Sequence, residues 1–331
     1  MKKLSILLAL ALMLTMSVLL FTGCSSDDYD FTVGILSGSQ IDAFAEGRTG
    51  FEARLTELME EAGYTVTFNH QNAGGEIPTA TSITTNFAAQ GVDLIFSMGT
   101  SASQAALPIA QDAEIPFVFG IITDPVGSNL VHAGSSTGSS SALPMDTQVD
   151  LLEELLGTNL DGDNRVAFLY TQEEANSVAS LTRLQEAAPN NTIVPFGIPR
   201  NGVAQLATLF TQIAQDDTIV AIYIPQDNQL VSAMPQIQNL NRDLENSLPI
   251  VVADLPIVGD GAVASLTVCF EVNGAAAADI AFDILVNGNW HPTFYAPTAD
   301  TLTLYVNPAE AAYIGFTIPQ SLINRADRVF D

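Results

Sequence analysis

The sequence predicts an α/β protein of two lobes, each built around a parallel β-sheet. Segments with strand-like and helix-like patterns alternate along most of the chain, which is typical of a parallel sheet with helices on both faces. The series is interrupted once, by the polar residues 134–141, and then restarts. The 331 residues also exceed the size of about 250–300 residues at which single hydrophobic cores stop growing. Two cores of similar size are therefore expected.

Each element of the first series is predicted from hydrophobic periodicity. Short apolar or alternating runs predict strands, and apolar residues spaced by three and four predict helices. Gly63 follows the first predicted helix and is a typical helix stop. In chain order the elements are strand 31–36, helix 47–62, strand 64–69, helix 79–90, strand 92–97, helix 101–112 and strand 116–121.

The second series follows the polar connector and carries an additional tail. It runs through helix 146–156, strand 165–170, helix 175–188, strand 192–196, helix 203–215, strand 218–224, helix 230–244, strand 250–253 and strand 261–270. The tail holds helix 274–286, strand 301–306 and short helices at 308–314 and 319–330. This added helix and strand predict that the chain returns to the first lobe and then to the second, which makes a hinge of three segments. The predicted lobes are 31–143 with 271–298, and 144–270 with 299–331.

The beginning of the chain has the pattern of an export signal. Two lysines precede the apolar run 4–21, and small residues lie directly before Cys24, as at a signal-peptide cleavage site. A cysteine at this place is typical of a lipobox, although Phe21 stands where leucine is usual. We predict a signal peptide over 1–23, lipidation of Cys24 and a flexible tether over 24–30, hence an extracytoplasmic protein anchored to the membrane. Secretion without a lipid and a retained transmembrane helix are the alternatives.

The charge balance excludes several classes of partner. The chain has 10 Lys and Arg against 37 Asp and Glu, a formal net charge of −27. Such a surface repels nucleic acids and anionic lipids, so no nucleic-acid partner is expected. Acidic surfaces suit saline surroundings, where ions screen like charges; an ordinary acidic extracellular surface is the alternative. With Cys24 lipidated, Cys269 is the remaining thiol, and no disulfide within the mature chain is expected.

The sequence has no pattern that indicates catalysis. Its three histidines, His70, His132 and His291, are scattered and do not follow a metal-ligand spacing. The chain also lacks a G-x-S-x-G nucleophile elbow and the glycine-rich phosphate-binding loops. We therefore predict a protein that is not an enzyme and that needs no metal or cofactor. A lipoprotein hydrolase is kept as an alternative.

Six segments are similar to those of one known family and occur in that family's order. They are NAGG at 72–75, GTSASQA at 99–105, ITDPVG at 122–127, EANS at 174–177, IPQDN at 224–228 and IGFTIP at 314–319. With this set the chain resembles the ABC-transporter substrate-binding proteins typified by tryptophan- and tyrosine-binding lipoproteins. The resemblance covers nearly all of 31–328 and departs at 253–258, where the family has a more polar loop.

This resemblance implies a fold and a function. The fold would be the type-I periplasmic-binding fold, with two Rossmann-like lobes joined by three strands. The function would be that of the extracytoplasmic component of an ABC importer, which captures a small amino-acid-like solute, aromatic or large aliphatic, by hinge closure. Its partner would be an ABC permease in the membrane. A binding protein that feeds a chemoreceptor or a sensor kinase is the alternative.

Candidate ligand-binding residues in the first lobe lie where predicted strands end. Ligands of open α/β sheets bind outside the carboxyl ends of the strands. Gly99, Thr100 and Ser101 join a strand to a helix whose first amides suit a carboxylate, with a plain helix cap as the alternative. Ser37 and Gln40 follow the first strand and leave room for a ligand.

Further candidates complete the predicted cleft from both lobes. Asp124 follows the fourth strand and either lines the cleft or forms a turn before proline, and Phe44 belongs either to an apolar wall or to the core. In the second lobe Asn176 lies at a helix start. Asp227 and Asp254 follow strands and are candidates for binding an ammonium group by charge-assisted hydrogen bonds. Ordinary surface acidity is the alternative for both carboxylates.

Overall fold

Two β-sheets with flanking helices organise the protein in the computed structural model, which describes residues 29–254, 261–291 and 293–330. Both sheets belong to one unit, residues 31–331. The signal peptide, Cys24 and most of the loop 253–258 lie outside the described residues, so what was predicted for them stays a prediction. Within the described ranges, no helix combines the length and the hydropathy that crossing a bilayer requires.

The N-terminal lobe contains a parallel sheet of five strands in the order β2-β1-β3-β4-β5. Its elements are β1 (Phe31–Ser37), α1 (Asp42–Ala62), β2 (Val66–Asn72), α2 (Ile77–Gln90), β3 (Leu94–Met98), α3 (Thr100–Asp112), β4 (Phe117–Ile122) and β5 (Ser136–Ser140). Helix α1 starts earlier than predicted. Strand β5 lies within the polar connector, where serine hydroxyls such as that of Ser140 bond to backbone carbonyls and so permit a buried strand without apolar side chains.

The C-terminal lobe contains a sheet of seven strands in the order β12-β11-β10-β9-β8-β6-β7, with β10 and β11 antiparallel. Its elements begin with α4 (Met145–Leu156), β6 (Arg165–Thr171), α5 (Ala175–Ala187), β7 (Ile193–Ile198), a 3₁₀ turn (Val203–Gln205), α6 (Leu206–Ala214), β8 (Ile219–Ile224), α7 (Asn228–Ser232), α8 (Met234–Arg242), β9 (Ile250–Val252) and β10 (Ala264–Val268). Pro235 lies at the start of α8, where proline is tolerated, and one predicted helix is therefore two.

The tail of the chain contributes elements first to the N-terminal lobe and then to the C-terminal lobe. It consists of α9 (Phe270–Asn287), a 3₁₀ turn (Ala299–Thr301), β11 (Leu302–Val306), α10 (Pro308–Tyr313), α11 (Gln320–Arg325) and β12 (Arg328–Val329). Helix α9 packs on α1 of the N-terminal lobe, whereas β11 and β12 extend the C-terminal sheet. The predicted last helix ends at Arg325, and a short strand follows it. The predicted α/β fold with two parallel-sheet lobes is confirmed; the residue boundaries of the lobes stay a prediction.

Glycines set the packing of α9 against α1. A Cβ at Gly274 would overlap the carbonyl oxygen of Gly47, and one at Gly50 would overlap that of Glu271. The two helices thus approach with backbone against backbone. This contact fixes α9, and the chain crossing that leads into it from β10, to the N-terminal lobe.

Candidate ligand-binding cleft

A cleft lies between the two lobes. Its outer chamber has a volume of about 830 Å³ and is lined by both lobes, with Glu76 and Ile77 on one side and Glu174 and Arg200 on the other. A middle cavity of about 40 Å³ shares these four residues. An inner cavity of about 20 Å³ shares Asn228 with both. The three spaces are therefore parts of one continuous cleft.

The N-terminal lobe contributes the start of α3. Gly99 between β3 and α3 has a positive φ of 93°, a conformation that glycine adopts at little cost. A Cβ there would lie 2.8 Å from Cζ of Phe44, so the adjacent ring also requires a glycine. Gly99 is itself the cap residue, hence Thr100 and Ser101 are not helix caps. The first amides of α3 have no side-chain cap and are available to an anion.

The C-terminal lobe contributes a buried carboxylate that the sequence pattern did not single out. Glu174 is 4 % exposed and lines the outer chamber and the middle cavity. Its Oε2 accepts two hydrogen bonds of 3.1 Å from Asn228, one from the backbone N–H and one from the side-chain amide. Burial, followed by the charge of Asp227, raises the pKa of Glu174 to about 7. A cation in the cleft would favour the ionised form of this carboxyl.

Three polar atoms at the cleft are buried without a hydrogen-bond partner among the described residues. They are Oγ of Ser39, Oδ1 of Asn176 and Nε2 of Gln226. Ser39 lines the outer chamber, and the other two residues line the inner cavity. A fourth such atom, Oγ1 of Thr137, belongs to β5. Since buried polar atoms are nearly always paired, the three around the cleft mark positions that a ligand or water would complete.

The inner cavity brings together part of the predicted site. Gly99, Thr100, Asn176 and Asp254 all line it, and Ser101 lines the middle cavity. Nδ2 of Asn176 donates a 2.6 Å hydrogen bond to the backbone oxygen of Gln226, which leaves Oδ1 as the free atom of that amide. Asp254 is buried on the opposite lobe from Gly99. Helix amides and a carboxylate therefore lie around one small space.

Asp227 has a different position from the predicted one. It caps α7, and its carboxylate accepts five hydrogen bonds, from the backbone and hydroxyl of Thr171, the hydroxyl of Ser177, and the backbone amides of Gln229 and Leu230. It is fully buried; burial raises its pKa and these donors oppose that rise. Its acceptor sites are thus occupied by donors of its own lobe, and Asp227 is not among the residues that line the three cavities.

Three other predicted residues lie apart from the cleft. Oγ of Ser37 is 2.9 Å from Nε2 of His70, and Gln40 is exposed. Oδ1 of Asp124 accepts a 2.8 Å hydrogen bond from the backbone of Gly127, which is the turn that Asp before proline also predicted. Among the described residues, Ser37, Gln40 and Asp124 are not part of the lining of the three cavities.

Sequence reasoning missed four of the lining residues: Glu174, Arg200, Gln226 and Ile77. Glu174 and Gln226 lie inside the segments EANS and IPQDN, but neither was singled out there. Arg200 follows β7 and lines the outer chamber, so the rule for strand ends already pointed to it. Ile77 lies at the start of α2, and its position depends on the packing of the lobes, for which the sequence has no local signal.

Two parallel-sheet lobes around a polar cleft are the architecture of the type-I periplasmic-binding fold. A sequence model of the family described as ABC transporter substrate binding protein matches residues 32–330. The chain belongs to this family, whose members bind solutes outside the cytoplasm and are not enzymes.

Known proteins similar to this chain agree with that assignment. A tyrosine-binding protein of Clostridioides difficile is 26% identical over 299 residues, which cover 84% of each chain. The structure of a conserved domain protein from Vibrio cholerae is 25% identical with a TM-score of 0.76, covering 91% of this chain and 99% of that one. An ABC domain from Streptococcus pneumonia in complex with L-Trp shares the fold at 23% identity and a TM-score of 0.75, covering 90% and 100%.

Proposed function

We propose that the protein is the lipid-anchored, extracytoplasmic receptor of an ABC importer and that it captures an amino-acid-like ligand between its lobes. The observation that carries the proposal is the set of buried, unpartnered polar atoms that both lobes present to one cleft. Ser39 belongs to the N-terminal lobe, and Asn176 and Gln226 belong to the C-terminal lobe. A ligand that contacts both lobes would satisfy all three.

A zwitterion fits the charges around the inner parts of the cleft. The backbone amides of Thr100 and Ser101 lie at the positive end of the α3 dipole, where they can donate to an anion, which suits the ligand carboxylate. Glu174, Asp254 and the free Oδ1 of Asn176 are acceptors on the other lobe, which suits the ammonium. We assign the ammonium to Glu174 and Asp254, which line the middle and inner cavities. Asp227, whose five hydrogen bonds lie within its own lobe, does not line them.

The middle cavity supports an apolar side chain on that ligand. Its lining includes Phe44, Ala73, Ile77, Ala80 and Ala102, an apolar wall directly beside Gly99. Burial of an apolar side chain against such a wall is favourable. An aromatic or large aliphatic amino acid matches this wall, and the similar proteins described as tyrosine-binding and as bound to L-Trp support the same class.

Capture follows from closure of the two lobes. The ligand binds one lobe, the hinge segments flex, and the other lobe covers it, so that water leaves and the polar contacts strengthen. The closed form then docks on a membrane permease. The run 4–21 with Cys24 supports a lipid anchor that keeps the protein beside that permease. A receptor that feeds a chemoreceptor or a sensor kinase is the second candidate; a permease and an ATPase encoded beside this chain would favour import.

Calorimetry against the twenty amino acids tests the ligand class. We expect binding of at least one aromatic or large aliphatic amino acid, and Glu174→Gln is expected to weaken it by about tenfold or more, because loss of a charge partner costs about 2–5 kcal/mol. Glu186→Gln, an exposed carboxylate on α5, is the matched control. If none of the twenty binds to the wild-type protein, the amino-acid model is wrong. Mass spectrometry of co-purified small molecules would then identify the true ligand class.

A further inference from the structure

Strand β4 carries a bulge where it borders the inner cavity. Its pairing with β5 is regular up to Phe119, which lies opposite Gly138, and the next pair is Ile122 with Ser140. Two residues of β4 therefore face a single residue of β5. Bulges of this kind change the direction of a side chain and are frequent beside functional sites.

Ile121 in this bulge has a backbone conformation that its side chain disfavours. Its φ is 57°, and a β-branched residue in the left-handed region is a genuine outlier that costs free energy. Its side chain lines the inner cavity, and its Cδ1 occupies the space where Gly47 lacks a Cβ. Strain is thus stored at a residue that forms part of the cavity wall.

Asn273 of α9 holds the bulge through three hydrogen bonds. Its Oδ1 accepts from the backbone N–H of Ile121 at 3.2 Å and from the hydroxyl of Ser139 at 2.7 Å. Its Nδ2 donates to the backbone oxygen of Ser140 at 2.7 Å. The side chain is buried, so each of these bonds replaces a contact with water. Asn273 lies just after β10, where the chain crosses back to the N-terminal lobe. Its bonds to Ser139 and Ser140 connect this crossing to β5, which leads into the first crossing.

We propose that Asn273 is a positioning residue for ligand selection. By holding Ile121 in its left-handed conformation it fixes the size of the inner cavity, and thereby how deeply the charged groups of the ligand enter and how far its side chain reaches along the apolar wall of the middle cavity. Without Asn273 the N–H of Ile121 loses its partner, φ returns to the favoured negative region, and the side chain leaves its place in the cavity wall. The proposal rests on the proposed function in that it takes the cleft as the ligand site. The conformation that it assigns to Ile121 can be tested without any ligand.

The first test compares Asn273→Ala with Asn241→Ala. Asn241 is equally buried, and both atoms of its amide bond to the backbone of Leu248, but it does not line the three cavities. Affinities are measured by calorimetry for L-Trp, L-Tyr, L-Leu and L-Val. We expect Asn273→Ala to change the ratio of the affinities for the largest and smallest bound amino acids by about tenfold. Asn241→Ala should lower the melting temperature yet leave this ratio within about twofold.

A second test removes the backbone strain at Ile121 rather than the hydrogen bonds of Asn273. Glycine adopts a positive φ freely, so in an Ile121→Gly background the additional Asn273→Ala change is expected to alter the affinity ratio by less than about threefold. Ser139→Ala removes one donor to Oδ1 of Asn273, and it is expected to shift the ratio in the same direction as Asn273→Ala. If Asn273→Ala does not fold, the milder variant Ser139→Ala tests whether the hydrogen bonds of Asn273 set the affinity ratio.

The outcomes separate this proposal from the proposed function. If the wild-type protein binds none of the four amino acids, the proposed ligand class fails, and crystal structures of Asn273→Ala or Ser139→Ala decide on the positioning role alone. A negative φ at Ile121 in either variant supports the role. A positive φ in both variants, or an affinity ratio that changes equally in Asn273→Ala and Asn241→Ala, overturns it.

Discussion

The hydroxyl of Thr123 donates a 3.0 Å hydrogen bond to Oε1 of Gln226 and so joins the two lobes. The same oxygen accepts a 2.9 Å hydrogen bond from the hydroxyl of Ser141, at the first crossing between the lobes. Nε2 of the same amide has no partner among the described residues. Gln226 therefore bonds to the opposite lobe through one atom and is ready to donate to a ligand through the other.

Thr123→Val is expected to weaken ligand binding by about three- to tenfold, since it removes one buried hydrogen bond between the lobes and leaves the shape nearly unchanged. Calorimetry measures the affinity, and small-angle scattering of the ligand-free variant should show a larger radius of gyration. Thr211→Val is the control, because that hydroxyl bonds within α6. An affinity equal to that of the wild type would mean that this bond does not stabilise the closed form.

Ligand affinity should depend on the ionisation of Glu174. Burial and Asp227 raise its pKa to about 7, and Arg200 opposes them. An ammonium ligand binds the ionised carboxylate, so affinity should rise between about pH 6 and pH 8.

The stability of the ligand-free protein should have the opposite dependence on pH. The carboxyl of Glu174 ionises more readily in the unfolded chain, so the free energy of unfolding falls as pH rises from 4.5 to about 7. Glu174→Gln should flatten both profiles, measured by calorimetry and thermal melting; a flat wild-type profile would contradict the assignment.

Asp227→Asn is expected to lower the free energy of unfolding by about 2–3 kcal/mol, because an amide cannot accept all five hydrogen bonds that the carboxylate accepts. It should also move the pKa of Glu174 towards its ordinary value, since the neighbouring charge is lost. Urea denaturation measures the first effect, and the pH dependence of ligand affinity measures the second. Asp217→Asn, at an exposed position, serves as control. A variant as stable as the wild type, but without affinity, would restore Asp227 as a ligand residue.

The surface charge predicts a response to salt. With 37 acidic against 10 basic residues, repulsion between acids should weaken as NaCl rises from about 0.1 M to about 1 M, where the Debye length falls from about 10 Å to 3 Å. The melting temperature is expected to rise over this range. A flat or falling melting temperature in NaCl would show that repulsion among these acids does not limit stability.

Cys24→Ser is expected to release the protein from membranes, since the predicted lipid attaches to that thiol. Metabolic labelling with a fatty acid, followed by fractionation, measures the change. Cys269→Ser is the matched control and should remain labelled. Equal labelling of Cys24→Ser and the wild type would rule out this anchor.

Much of the fold was predictable because each parallel strand carries its own apolar signal. Strand β3, for example, is buried along its whole length, and its sequence LIFSM is apolar except for Ser97. Strand β5 has the sequence STGSS, which contains no apolar residue, and its burial depends on bonds such as that from Ser136 to the oxygen of Leu130. Those partners belong to the tertiary structure, and a local pattern cannot reveal them.

The candidate site was predictable in location more than in detail. The rule for strand ends found Gly99, Asn176 and Asp254, which line the inner cavity. The same rule also selected Asp227, because it fixes where a residue lies along the chain but not which way its side chain points. Five donors of its own lobe turn Asp227 inward, whereas Glu174 lines the cleft.

The backbone contact between α1 and α9 has a consequence for the order in which the protein acquires its structure. The N-terminal lobe needs α9, which is synthesised only after strands β6 to β10 of the other lobe. The glycine contacts of Gly47, Gly50 and Gly274 cannot form before then, and an apolar face of α1 stays uncovered during most of translation. A polypeptide whose first lobe folds last remains longer in an unfolded state that can cross a membrane, which is the state that export by the predicted signal peptide would require.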